Sequence, residues 1–208
     1  RHHGSAAAPV AVDRFGRIDA DALVADVDDR TGMVHCQWVN HEVGTVQPVA
    51  DVVDACRARE VLVHVDAAQA LGRVTTAVGE LGADFVSLSG HKAGGPPGTG
   101  VLVVRRGVRI EPLMVGGDQE RARRAGVEHV AGAVGLASAI EAMDVPAETV
   151  RARAQTDRIR VALAAVEGIE VFGPLDADDR APHLVAAGIA DIEPQAIVLG
   201  LDRAGINV

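Results

Sequence analysis

Aromatic side chains are nearly absent from this chain: three Phe, one Trp and no Tyr make up 2% of its 208 residues. With Ala, Val, Arg and Asp abundant, that poverty fits a high-GC coding sequence. Cysteine is scarce too. Cys36 and Cys56 are too few for a disulfide framework, make no metal site, and point to a reducing compartment. No apolar run is long enough to cross a bilayer, and no charged start leads into an apolar core as in a signal peptide. Basic residues are outnumbered, 20 Lys and Arg against 29 Asp and Glu, and a net charge of -9 argues against nucleic acid as a partner. What is present is 48% hydrophobic residues, enough to bury a core.

The apolar pattern follows an α/β plan. Strands are expected at 34–39, 61–65, 85–88 and 101–104, with a helix near 49–59 and a short crossover around 74–81, the rhythm of a mostly parallel sheet with flanking helices. The strand at 100–105 follows its predecessor closely and is expected as an antiparallel neighbour. A helix rich in Ala and Gly over 130–143 is broken by Asp144-Val145-Pro146, which places a domain boundary there: residues 1–143 in a large domain, 144–208 in the start of a small carboxy-terminal α+β domain. In that second part a helix is expected over 147–166 and strands near 169–172 and 183–187. Arg1-His2-His3-Gly4-Ser5 resembles tag residue. Cys36 lies in a strand-like run and Cys56 in a helical one, so both read as buried apolar fillers. His35 and His64 sit within strand patterns and read as structural.

Chemistry concentrates in Ser89-Gly90-His91-Lys92-Ala93-Gly94-Gly95-Pro96-Pro97-Gly98, which follows the apolar strand 85–88. A lysine at the carboxyl end of a buried strand is partly desolvated and is a usable nucleophile toward an aldehyde. The glycines allow close backbone approach and positive φ, while Ser89 and His91 offer donors to a phosphate. Together these suggest pyridoxal phosphate; taken alone, the segment reads sooner as a Gly/Pro-rich turn with a solvated lysine. Upstream, Asp66 ends the strand 61–65, where ligands of open α/β sheets bind. It is suited to hold a pyridinium nitrogen protonated, or else to cap a helix. Ala68 is small enough to lie against a flat ring, and Gln69 can donate to a phenolate oxygen.

Four blocks in order carry a resemblance to the cysteine desulfurases of the NifS-like group, in the class V aminotransferase family of fold-type I pyridoxal-phosphate enzymes. Asn40-His41-Glu42-Val43-Gly44-Thr45-Val46-Gln47-Pro48 resembles N-N-E-x-G-x-x-Q-P, and His64-Val65-Asp66-Ala67-Ala68-Gln69-Ala70-Leu71-Gly72 resembles H-x-D-A-x-Q-x-x-G. Ser89-Gly90-His91-Lys92 with Gly95-Pro96 resembles S-G-H-K-x-x-G-P; Gly116 to Glu120 with Arg124 to Glu128 resembles G-G-G-Q-E and R-x-G-T-x-N. The resemblance implies Lys92 as the covalent anchor and the base and acid for the α proton. It implies Asp66 at the pyridinium, Gln69 and His41 at the phenolate edge, and Ser89 and His91 at the phosphate. His41 stands where the family has Asn, Val127 where it has a Thr that reaches the phosphate across the dimer interface, and Asp118 where it has Gly.

The implied activity is release of sulfur from L-cysteine as an enzyme persulfide, leaving L-alanine, in a cytoplasmic homodimer that feeds a sulfur-acceptor protein and iron-sulfur cluster assembly. The alternatives are another class V lyase or aminotransferase, such as a selenocysteine lyase, and a truncated, non-catalytic paralogue. Because the chain begins at Arg1 and ends at Val208, just before the stretch where the family carries its nucleophilic Cys, it is expected to be a fragment.

Overall fold

β-Branched residues alternating with polar ones build a sheet with one buried face. In the computed structural model, which describes residue 4 and residues 6–75 and 78–208, this sheet has four strands. Most of the tag-like start and Thr76 and Ala77 of the expected crossover lie outside the described residues. Strands β1 (Met33–Gln37), β2 (Leu62–Asp66), β3 (Phe85–Ser89) and β4 (Gly100–Val104) lie in the order β1-β2-β3-β4. The first three are parallel and β4 returns antiparallel to β3, as the sequence pattern indicates. The register sets Gln37 opposite Asp66 and Asp66 opposite Ser87, so the carboxyl ends of the parallel strands share one edge.

Helix α2 (Val49–Arg57) makes the crossover from β1 to β2. Its Val49, Val52, Val53 and Cys56 recur at helical spacing and are at most 4% exposed. They pack on Val34, Cys36, Val63, Val65 and Val86 of the sheet, joined by Leu23 of α1 (Ala20–Asp26). Each such buried valine contributes about 1.5–3 kcal/mol. Helix α1 is an element the sequence pattern did not indicate; seven residues with one buried leucine give too short a period, and Asp19 starts it by accepting the N–H groups of Asp21 and Ala22. On the other face of the sheet His35 Nδ1 lies 3.0 Å from His64 Nδ1, and His64 Nε2 lies 3.1 Å from Ser87 Oγ. Burial, and next the neighbouring His35, hold the His64 imidazole below its ordinary range against the opposing pull of Asp66.

Asp84, just before β3, ties three strands together. Buried to 6% exposure, it accepts the Val63 N–H at 2.8 Å through one oxygen and Arg105 Nε and Nη2 at 2.9 and 2.5 Å through the other. Its own N–H donates to Val63 O, and its carbonyl accepts the Arg105 N–H. This clamp sits at the edge of the sheet away from the carboxyl ends of β2 and β3.

Beyond the sheet come α3 (Val78–Leu81) between β2 and β3, then α4 (Gln119–Ala122) and α5 (Val130–Glu141). In α4 Glu120, Arg121 and the following Ala122 have φ of 51°, 59° and 59°. The helix expected to end at 143 stops at Glu141 and the break spans 142–144; Val145 and Pro146 lie inside the first turn of α6 (Val145–Ala164), where the proline's missing N–H is not needed. Asp144 caps that helix through the Ala147 N–H at 3.1 Å. Strand β5 (Ile169–Val171) pairs antiparallel with β6 (Ala187–Ile189), and α7 (Pro194–Arg203) follows. The strand expected at 183–187 therefore lies later. The two residues before it are engaged elsewhere: Ala181 N–H donates to Gly44 O, and the Pro182 carbonyl accepts Thr156 Oγ of α6 at 2.9 Å. Among the described residues no single helix is long and apolar enough to cross a membrane.

Two outcomes are expected. Asp84→Ala leaves the Val63 N–H buried without a partner and lowers stability by about 1–3 kcal/mol, read by urea denaturation, with Arg105, half exposed, contributing little of that loss. Burial, and to a lesser degree Cys56, pushes the Cys36 thiol up to about 12, and burial raises Cys56 as well. Both therefore resist iodoacetamide in the folded protein and become alkylated only after denaturation, as mass spectrometry will report.

Candidate active site

Two loops leave the shared edge of the sheet. After β2, Asp66 turns the chain by accepting the Ala68 N–H at 2.9 Å, while Ala67 N–H donates to Ser87 O at 2.9 Å and keeps the loop against β3. Asp66 thus caps a turn, and its carboxylate is fixed half-buried at the strand end. After β3 the chain makes one 3-10 turn, His91–Ala93. Gly90 anchors it, donating its N–H to Thr99 O at 3.0 Å and accepting the Gly95 N–H at 2.9 Å. A Cβ on Gly90 would stand 2.8 Å from the Thr99 carbonyl oxygen, so a side chain is excluded there by close approach and not by its dihedral. Gly94 and Gly98, at φ of 75° and 78°, are the two of the segment that take positive φ.

Ser89 Oγ lies 3.2 Å from His91 Nδ1, so the two donors proposed for a phosphate are already linked. Lys92 is exposed, whereas the sequence alone indicated partial desolvation, because the 3-10 turn carries it past the end of β3. It is also the only lysine of the 208 residues. Among the described residues its ammonium makes no hydrogen bond or ion pair. A chain that places its other permanent side-chain cations on arginine keeps one side-chain primary amine, the one side-chain group of this kind that can condense with an aldehyde.

His41 is exposed, with Nδ1 3.3 Å from Gln37 Nε2 at the end of β1, the residue in register with Asp66. Its neighbour Asn40 is committed to the local turn, accepting the Glu42 and Val43 N–H groups at 2.9 Å each. Val127, 88% exposed, and Asp118 lie on the surface.

A cavity of about 390 Å³ gathers Ala68, Gln69 and Arg73 from the loop after β2, His91 and Lys92 from the turn after β3, and His183 from the segment before β6. Four of the residues singled out in the sequence, Ala68, Gln69, His91 and Lys92, thus share one cavity, while Asp66, Ser89 and His41 stand at the strand ends or beside them. Arg73 and His183 were not indicated by the sequence. Burial, and next the Arg73 cation, push the His183 imidazole down to about 4. A second cavity, of about 340 Å³, surrounds Arg57, Asp84 and Arg105 away from these loops; there Asp84 and Arg105 are engaged with each other.

The chain as a whole is similar to known proteins. A model of the class V aminotransferase family matches residues 1–208. The cysteine desulfurase of Nostoc sp. is 38% identical over 200 residues, 95% of this chain and 50% of its own length. That of Gluconacetobacter diazotrophicus is 39% identical over 199 residues, with the same coverage of 95% and 50%. Among solved structures, a NifS-like protein superposes with a TM-score of 0.84 at 35% identity, covering 96% of this chain and 55% of that one. DndA from Streptomyces lividans does so with a TM-score of 0.78 at 33% identity, covering 91% and 55%. The chain spans about half the length of the curated relatives it matches. Matched over its whole length and folded as these relatives are, it belongs to the class V aminotransferase family.

Proposed function

We propose that this chain carries the cofactor site of a pyridoxal-phosphate-dependent cysteine desulfurase, which converts L-cysteine to L-alanine and passes the sulfur to an enzyme thiol. The observation that carries this reading is the cavity in which the sole lysine meets His91, Ala68 and Gln69 beyond the carboxyl ends of parallel strands. The 38% identity to a protein named cysteine desulfurase supports this reaction class.

The residues present suit the cofactor. Lys92 offers an unpaired amine to an aldehyde, the cavity lining includes no carboxylate that would repel a phosphate, and backbone contacts too tight for a side chain hold the lysine turn in place. Bound pyridoxal phosphate supplies an electron sink for the charge left when the substrate's Cα–H bond breaks. Around it, Asp66 provides the anion that keeps the ring nitrogen protonated, Ala68 leaves room for the flat ring, and Gln69 and His41 donate at the phenolate edge. Ser89 and His91 donate to the phosphate. Lys92 Nζ would anchor the aldehyde and, when free, would take the α proton and deliver a proton as alanine forms. An enzyme thiolate would form an S–S bond with the substrate sulfur as the Cβ–S bond breaks, giving a persulfide, while the electron pair of that bond stays with Cβ, which takes up a proton as the methyl group of alanine. Cys36, with its thiol pushed up to about 12 by burial, and Cys56, buried as well, are not that thiolate.

We extend the reading to a cytoplasmic homodimer that hands sulfur to an acceptor protein for iron-sulfur cluster assembly, built from a large domain over 1–143 and a small one from 144. The apolar side chains Leu113, Val115 and Val127, 98%, 80% and 88% exposed, support a face that a second copy covers.

Trapping tests the assignment. Treatment with pyridoxal phosphate and borohydride is expected to leave one pyridoxyl group, located by peptide mass spectrometry on Lys92 and absent from Lys92→Ala. Stable modification at the amino terminus alone, or none at saturating cofactor, would overturn it.

A further inference from the structure

Arg180 is the one arginine buried among the described residues, at 6% exposure, and the function proposed above gives it no task. A buried guanidinium is costly unless its donors are taken up. Here they are taken up by two other parts of the chain. Nη2 pairs with Asp157 of α6 at 2.5 Å, and Nη1 reaches the carbonyls of Leu175 at 3.3 Å and Pro174 at 3.5 Å in the turn after β5. A planar fork serves a carboxylate and two carbonyls at once, which a lysine ammonium does not do in one fixed geometry. The backbone around Arg180 faces the sheet. Asp179 O accepts the Val46 N–H at 2.8 Å, and the Ala181 N–H donates to Gly44 O at 2.7 Å, so that Thr45 and Arg180 form an antiparallel bridge. Residues 44–46 are the outer arm of a hairpin that continues from β1. Its Gln47 N–H donates to Trp38 O at 2.8 Å, Val39 bridges Val46, and the Asn40 N–H donates to Thr45 O at 2.9 Å. His41 stands at the tip, with Nδ1 3.3 Å from Gln37 Nε2.

We propose that Arg180, held by Asp157, is a positioning residue: through the arm 179–181 it sets where the hairpin over 38–47 places His41 at the carboxyl edge of the sheet. Arg180 itself touches no reacting group. That His41 meets a cofactor there rests on the function proposed above; that Arg180 sets the hairpin does not. The hairpin has a second support on its other side, where Thr45 Oγ donates to Phe15 O and Arg17 Nη1 donates to Val46 O at 2.7 Å while pairing with Asp179. That support joins the hairpin to the start of the chain. The arm 179–181 joins it to α6, and the buried Arg180 side chain is what fixes the arm there. Loss of Arg180 therefore loosens the hairpin from one side and leaves the valine core between α2 and the sheet untouched.

Hydrogen exchange of the full-length protein without cofactor, read by peptide mass spectrometry, tests this. Arg180→Met removes the donors and keeps much of the volume. It is expected to raise exchange in the peptide over 40–47 on the order of tenfold, while peptides of β2 and α2 keep their rates. Asp157→Asn, at a half-exposed position, moves the same peptide in the same direction by a smaller factor, and it decides the matter should Arg180→Met fail to fold. A second readout is the affinity for pyridoxal phosphate, titrated by absorbance. Arg180→Met and His41→Ala each weaken it on the order of tenfold, and the double variant loses no more than the larger single loss, because one residue acts through the other. Exchange that rises equally in every peptide, or a peptide 40–47 that does not change, overturns the proposal. So do additive losses in the double variant, or an affinity left intact by Arg180→Met. A protein that binds no pyridoxal phosphate overturns the function proposed above, and the exchange result alone then decides on Arg180.

Discussion

The parallel pairing of β1, β2 and β3 is the constraint on which the rest of the molecule depends. Parallel strands bring like ends together, so Gln37, Asp66 and Ser87 stand in register and the loops that follow β2 and β3 open on one side. A parallel sheet cannot be closed by tight turns, and its register must be fixed by something else. Here the fixing is divided. Buried valines against α2 hold one face, and Asp84 clamps β2, β3 and Arg105 at the end away from the loops. The two ends of the strands therefore differ: the Asp84 charge that organises the sheet is saturated by its own partners, while beyond the opposite ends the Lys92 ammonium has no partner among the described residues.

That separation explains why Lys92 can be exposed and still be placed. The lysine turn is held by backbone groups, Gly90 to Thr99 and Gly95 to Gly90, in a packing that a Cβ on Gly90 would break. The backbone fixes where the side chain begins, while the exposed amine makes no hydrogen bond or ion pair among the described residues. In a chain with one lysine, the position of this turn decides where its side-chain amine stands.

Much of this was legible in the sequence because it is local. The strand ends, the helix at α2, the antiparallel return of β4 and the break before α6 follow from apolar spacing and from Gly and Pro, and each was indicated to within a few residues. The blocks around Asp66 and Lys92 were legible because the residues of each loop are contiguous. What escaped was tertiary. The strand placed at 183–187 looked extended, yet Ala181 and Pro182 are drawn to Gly44 and α6, and that pull delivers His183 to the cavity. No spacing in the chain links His183 with Arg73. The desolvation of Lys92 was also misjudged, since strand burial does not extend one 3-10 turn beyond the strand. Helix α1 was missed for a simpler reason, being a short helix with a single buried residue.

The central claim is that the cavity around Lys92 performs chemistry on L-cysteine. Its most direct test is the quantity of alanine released from L-cysteine by the full-length protein supplied with pyridoxal phosphate and a thiol reductant. The account predicts one alanine and one sulfide per cysteine consumed, with no turnover by Lys92→Ala. Alanine released by Lys92→Ala at the rate of the unsubstituted protein, or cysteine consumed to a product other than alanine, would contradict it.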